Sequence, residues 1–143
     1  MRYAYPARLA KSGKTILVTF RDLPEANTFG KDREDALSSA IECLDVALLI
    51  RLKRGEQIPP PSEPKRGEVG IPASPQVAAK VAFVLAFNAS GLSRVALAKR
   101  LGCAESEVRR LLDPNHGTKL DRIDTALRAL GRRLVVGDET LAA

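Results

Sequence analysis

The stretch that decides the reading is Arg94-Val95-Ala96-Leu97-Ala98-Lys99-Arg100-Leu101-Gly102-Cys103-Ala104-Glu105-Ser106-Glu107-Val108-Arg109-Arg110-Leu111-Leu112. Leu97 and Leu101 recur on one face of a first helix, and Val108, Leu111 and Leu112 on one face of a second. Ala98 is small where two helices must approach closely. Gly102, four residues later, takes the left-handed conformation that a tight turn requires. Ser93 is placed to cap the first helix. The spacing is that of a helix-turn-helix; the plainer alternative is two helices of a small α-bundle, in which Ala and Gly are equally common.

In a helix-turn-helix the N-terminal part of the second helix enters the major groove of a duplex. That places Glu105, Ser106 and Arg110 toward base edges, with Arg109 beside them. A guanidinium forks onto guanine O6 and N7, and a carboxylate accepts from cytosine N4. Arg94, at the start of the first helix, and Lys119, at the start of the following one, are better placed for phosphates. Lys99 and Arg100 add positive charge whose facing the spacing leaves open. A solvated charge is the alternative for each of them. His116, in the turn-forming run Asp113-Pro114-Asn115-His116-Gly117-Thr118, has no partner nucleophile and reads as a surface or phosphate-proximal imidazole.

Outward from this segment the pattern stays helical. Ser74-Pro75 is an N-cap followed by proline at the first helical position, and Val77, Val81, Val84 and Leu85 form a stripe that ends before Gly91. Another helix is expected over Lys119–Leu130, stopped by Gly131, and then Arg132-Arg133-Leu134-Val135-Val136 reads as a terminal strand. On the other side, Ile58-Pro59-Pro60-Pro61-Ser62-Glu63-Pro64 suits neither a helix nor a central strand and favours a stiff connector.

Before the prolines lies a different pattern. Tyr3, Tyr5, Ala7 and Leu9 alternate onto one face, Lys11-Ser12-Gly13-Lys14 turns, and Ile16, Val18 and Phe20 alternate again. Two such runs around a short glycine-containing loop predict a hairpin, with a weaker third strand over Ala26–Phe29. Asp32 stands as an N-cap, with Glu34 and Asp35 in the first turn where the helix dipole favours acids. Leu37, Ala40, Ile41, Leu44, Leu48 and Leu52 then mark an amphipathic helix ending at Gly55.

Charge follows the same division. Residues 1–64 hold ten Lys/Arg against nine Asp/Glu, and residues 65–143 hold thirteen against eight, so five of the six net positive charges fall in the second half. A polyanion would bind there. Cys43 and Cys103 form no disulfide framework and have no metal-ligand spacing, which fits reduced thiols in cytoplasm. The longest apolar run, Val81–Phe87, is far shorter than the roughly 20 residues that span a bilayer, and Met1–Pro6 lacks a signal-peptide core. Nothing calls for a cofactor.

The chain resembles the HicB family of type II antitoxins, in the branch that ends in a helix-turn-helix. The likeness rests on Tyr5-Pro6-Ala7, Ile16-Leu17-Val18-Thr19-Phe20, Asp22-Leu23-Pro24-Glu25-Ala26 and Arg33-Glu34-Asp35-Ala36-Leu37. It continues through Ile58-Pro59-Pro60-Pro61-Ser62, Leu97-Ala98-Lys99-Arg100-Leu101-Gly102, Val108-Arg109-Arg110-Leu111-Leu112-Asp113 and Lys119-Leu120-Asp121. Two departures stand out: Arg21 where the family usually has proline, and the basic turn Ser12-Gly13-Lys14.

The resemblance implies an α+β fold. A small antiparallel sheet on one long helix, a degenerate ribonuclease-H-like domain over residues 1–62, masks a HicA-like mRNA-cleaving toxin. A linker over residues 63–75 leads to an all-α helix-turn-helix domain over residues 76–143 that binds operator DNA as a homodimer. Pairing of Leu134-Val135-Val136 strands is one route to that dimer, since an unpaired apolar edge is a liability. Such a protein is no enzyme. An orphan repressor without a toxin stays open, as does a metal-dependent RNA hydrolase using Asp22, Asp32, Glu34, Asp35, Glu42 and Asp45, although most of these read better as turn, cap or solvated-face residues.

Overall fold

In the computed structural model, which describes residues 1–141, the chain is α+β. The hairpin strands are β1 (Ala4–Ser12) and β2 (Thr15–Phe20), joined in the register Ala7↔Phe20 to Ser12↔Thr15. β3 (Asn27–Gly30) adds to β2, with Leu17 opposite Phe29. Alternation then sorts the side chains: Tyr5, Ala7, Val18 and Phe20 are buried beneath the sheet, while Leu17 and Phe29 stand exposed on its other face.

The long helix α1 (Arg33–Arg54) starts where its cap requires. The Asp32 carboxylate accepts from the Asp35 backbone N–H at 2.8 Å, and Gly55 in the left-handed region ends the helix. Ala36, Ala40, Leu44 and Leu48 are its buried stripe. Gly30 permits the entry of α1: a Cβ there would stand well inside van der Waals contact distance of the Ala36 backbone. Small residues at 30, 36 and 40 let helix and strand close together.

The prolines do not hang free. Tyr5 Oη donates to the Pro59 carbonyl at 2.7 Å, and Asp22 accepts from both the backbone N–H and the hydroxyl of Ser62 at 2.7 and 2.8 Å. Residues 63–75, expected as a connector, contain a fourth strand, β4 (Glu68–Pro72), antiparallel to β1, so the sheet order is β3-β2-β1-β4. Gly70 and Pro72 weaken the strand pattern of this segment. Pro72 is tolerated because it sits at the end of an edge strand. Arg21 holds the arrangement: its guanidinium donates to both oxygens of Glu68, at 3.0 and 3.2 Å, and to the Glu63 carbonyl. Glu68 is thereby drawn down to about 2.

Helix α2 (Pro75–Ser90) follows, anchored where Asp45 of α1 accepts from the Ser74 backbone N–H and hydroxyl. It belongs to two cores. Val81 is buried with the sheet and α1, whereas Ala79, Phe83 and Val84 are buried with the helices that follow. Those are α3 (Arg94–Leu101), α4 (Glu105–Leu112) and α5 (Leu120–Arg128), whose Leu97, Val108, Leu111, Ile123 and Leu127 complete the second core. Arg132–Val136, expected as a terminal strand, form no strand, because among the described residues no neighbouring strand lies beside them to share a ladder. The range 76–143 assigned to the helical domain ends in two residues, 142–143, that lie outside the described ones.

Candidate nucleic-acid interface

The pair α3–α4 is built as its spacing demands. The Ser93 hydroxyl accepts from the Ala96 backbone N–H at 3.0 Å, fixing the start of α3. Gly102, at φ 65°, closes its end, and the Cys103 N–H returns to the Ala98 carbonyl at 3.0 Å. Leu97, Ala98, Val108 and Leu111 point into the core, which leaves the charged side chains of both helices outside.

Those charges are not equally available. Glu105 is gripped by Arg109, whose Nη2 and Nε lie 2.7 and 3.0 Å from the same carboxylate oxygen, and its other oxygen is 3.5 Å from Arg94 Nε. The hydrogen bond from Arg109 is the main reason its carboxyl sits below the usual range, with Arg94 assisting. So Arg94, Glu105 and Arg109 form one triad, the arginines exposed and Glu105 half-buried between them. Arg110 is exposed and, among the described residues, its side chain has no ion pair or hydrogen bond. Ser106, one turn earlier on α4, shares its face and is exposed too. Lys99 is exposed on α3, and Lys119 is exposed at the N-cap of α5. Arg100, whose facing the sequence left open, donates to the Ala129 carbonyl at 3.0 Å and so lies against the end of α5.

A residue absent from the sequence reading underlies α4. Lys80, on α2, is 3% exposed. Its ammonium donates to the Leu111 carbonyl at 2.8 Å, the Arg110 carbonyl at 3.2 Å and Thr118 Oγ1 at 2.8 Å. Burial pushes it down to about 8, against the pull of Asp113. Thr118 is buried as well; its carbonyl accepts from the Gln76 side-chain amide, and its hydroxyl lies 3.2 Å from His116 Nδ1. His116 therefore has a structural neighbour rather than a nucleophile. A lysine inside the run Val77–Leu85 looks like an ordinary polar interruption, and only the tertiary fold brings three oxygens to it.

Beyond α5, the Leu134 N–H donates to Asp124 at 2.8 Å, while Val135 and Val136 are 81% and 71% exposed. Of the carboxylates considered for metal, Asp22 and Asp45 are occupied by serines. Asp32 caps α1, and Asp35 accepts from the Lys31 N–H at 2.8 Å. No group of three or more His, Cys, Asp or Glu among the described residues converges on a metal-sized site. Burial pushes the Cys43 thiol up, away from nucleophilic thiolate.

Comparison with known proteins places this geometry. A family model described as "HicB_like antitoxin of bacterial toxin-antitoxin system" matches residues 4–82, the sheet, α1, the proline strap and the first half of α2. The chain belongs to the HicB antitoxin family. "Antitoxin HicB 1" of Photorhabdus laumondii subsp. laumondii is 36% identical over 139 residues, covering 97% of this chain and 88% of the relative. "Antitoxin HicB" of Escherichia coli K12 is 34% identical over 134 residues, 94% of this chain and 96% of the relative. A Pseudomonas fluorescens "Antitoxin HicB" is 29% identical over 138 residues, 96% and 94% of the two chains. The role is therefore that of an antitoxin in a toxin–antitoxin system. Among the described residues no single helix is long and apolar enough to cross a membrane.

Proposed function

We propose that the chain is a cytoplasmic antitoxin that neutralises a HicA-like mRNA-cleaving ribonuclease by direct binding and represses its own operon through α3 and α4. The observation that carries this reading is the extent of the likeness. Proteins named antitoxin HicB align with both the sheet and the helices, over 94–97% of this chain in the two relatives at or above 34% identity named above. Neutralisation is stoichiometric: the sheet module covers the toxin and performs no chemistry.

On the DNA side, α3 and α4 act as a helix-turn-helix. Arg110 and Ser106, exposed one turn apart on α4, meet base edges in the major groove. Lys119 and Arg94 meet phosphates, and Lys99 strengthens the field around them. Glu105 acts differently from a base reader. With its carboxylate held by Arg109 and Arg94, it restrains two arginines until a duplex competes for them. Two chains bind an inverted repeat, joined through Leu134, Val135 and Val136, whose exposed valines favour a second strand.

The test is co-expression with a small HicA-like ribonuclease. The chain should co-purify with it and stop its RNA cleavage at a fixed molar ratio, and Arg110→Ala should do so equally well. A chain that binds DNA but neither holds nor inhibits that ribonuclease is an orphan repressor, and the antitoxin half of the proposal fails.

A further inference from the structure

Helix α4 ends without the device that ends the two helices before it. α2 and α3 stop at glycines in the left-handed region, Gly91 and Gly102, whereas α4 stops at Asp113 in extended backbone. An α-helix leaves its last carbonyls without intrahelical partners, and here the Asp113 N–H reaches only the Arg110 carbonyl. The Lys80 ammonium adds donors for two of them from a different helix. It lies on the Arg110 and Leu111 carbonyls and on Thr118 Oγ1, at the negative end of the α4 dipole. Its own helix cannot move freely, because the neighbouring Val81 is fully buried in the core beneath the sheet.

We propose that Lys80 is the positioning residue of the DNA-reading surface: its buried ammonium, seated on the last carbonyls of α4, sets how that helix lies on α2 and thereby where Arg110 and Arg109 meet a duplex. This rests on the DNA-binding reading above. Lys80 touches no nucleic acid itself. A methionine fills nearly the same volume but donates nothing, so it leaves the Leu111 carbonyl without its partner and the end of α4 unfastened. An arginine carries the charge but cannot place a compact ammonium between three oxygens.

The experiment uses the full chain and two readouts. Amide exchange on Lys80→Met, without DNA, should quicken over Val108–Leu112 while α3 stays protected as in the parent; equal protection across α4 overturns the proposal. Fluorescence anisotropy with the duplex immediately upstream of the chain's own gene should show affinity lowered by about tenfold, as expected when hydrogen bonds to a charged group are lost. The salt slope should be unchanged, because no phosphate contact is removed. Parental affinity in a folded Lys80→Met overturns the proposal. Where Lys80→Met fails to melt cooperatively, Thr118→Val, which removes one of the three acceptors, decides by the same readouts. A parent chain that binds no duplex refutes the DNA reading instead, and amide exchange still tests the fastening of α4.

Discussion

Replacing Glu105 by glutamine distinguishes a restraining carboxylate from one that reads a base. In the free chain this side chain holds Arg109 at 2.7 Å and Arg94 at 3.5 Å. Glu105→Gln adds one positive charge and frees two guanidinium groups on the surface that would face the duplex. Each guanidinium that then neutralises a phosphate releases counterions, steepening the plot of log affinity against log salt by about 0.9. The variant should therefore bind duplex DNA of any sequence more tightly at low salt, with a slope steeper by roughly 0.9 from Arg109, because Arg94 already meets a phosphate in the parent complex. Its thermal stability should barely change, since exposed ion pairs contribute little. Anisotropy titrations at four or more salt concentrations read the slope directly. An unchanged slope refutes the restraint. Binding that weakens only on the chain's own upstream DNA also refutes it, because that outcome assigns the carboxylate to a base.

Three further outcomes follow from the fold. Gly30→Ala should destabilise the chain by about 1–3 kcal/mol in urea denaturation, because its Cβ meets the backbone of Ala36 rather than a movable side chain. Arg21→Ala tests the bracket on β4 through pH. Glu68 sits at about 2, below its ordinary 4.5, so the stability it contributes is full above 4.5 and is lost as pH falls through about 2. The variant should be less stable at neutral pH, with a shallower fall of melting temperature across that window; a parallel curve would show that Arg21 does not hold Glu68 in solution. Truncation after Gly131 removes Leu134, Val135 and Val136 and should shift the sedimentation coefficient to that of a monomer, whereas an unchanged dimer moves the interface elsewhere.

Local chemistry made most of the architecture legible. The caps at Asp32 and Ser93, the glycines at 55 and 102 and the alternation in β1 and β2 act within a few residues, and each gave the expected structure. β4 was not legible because Glu68-Val69-Gly70-Ile71-Pro72 has weak strand character and forms against the free edge of β1, some sixty residues away in sequence. The proline run reads as a connector for the same reason: its attachments to Tyr5, Arg21 and Asp22 are tertiary. At the candidate interface, periodicity located α3 and α4 and their outward charges. It could not show that Glu105 is shared between two arginines, or that Arg100 turns toward Ala129. Lys80 is the clearest case, since its role depends on oxygens from α4 and from the loop before α5.

Footprinting of the DNA upstream of the gene, with the parent chain beside Arg110→Ala and Lys119→Ala, bears most directly on the claim that α3 and α4 read a duplex. The parent should protect two half-sites about one helical turn apart. Arg110→Ala should lose about 1–3 kcal/mol on that site and relax base preference within it, and Lys119→Ala should weaken all sequences alike and lower the salt slope by about one. Absence of protection by the parent, or a footprint identical in all three proteins, would contradict the account.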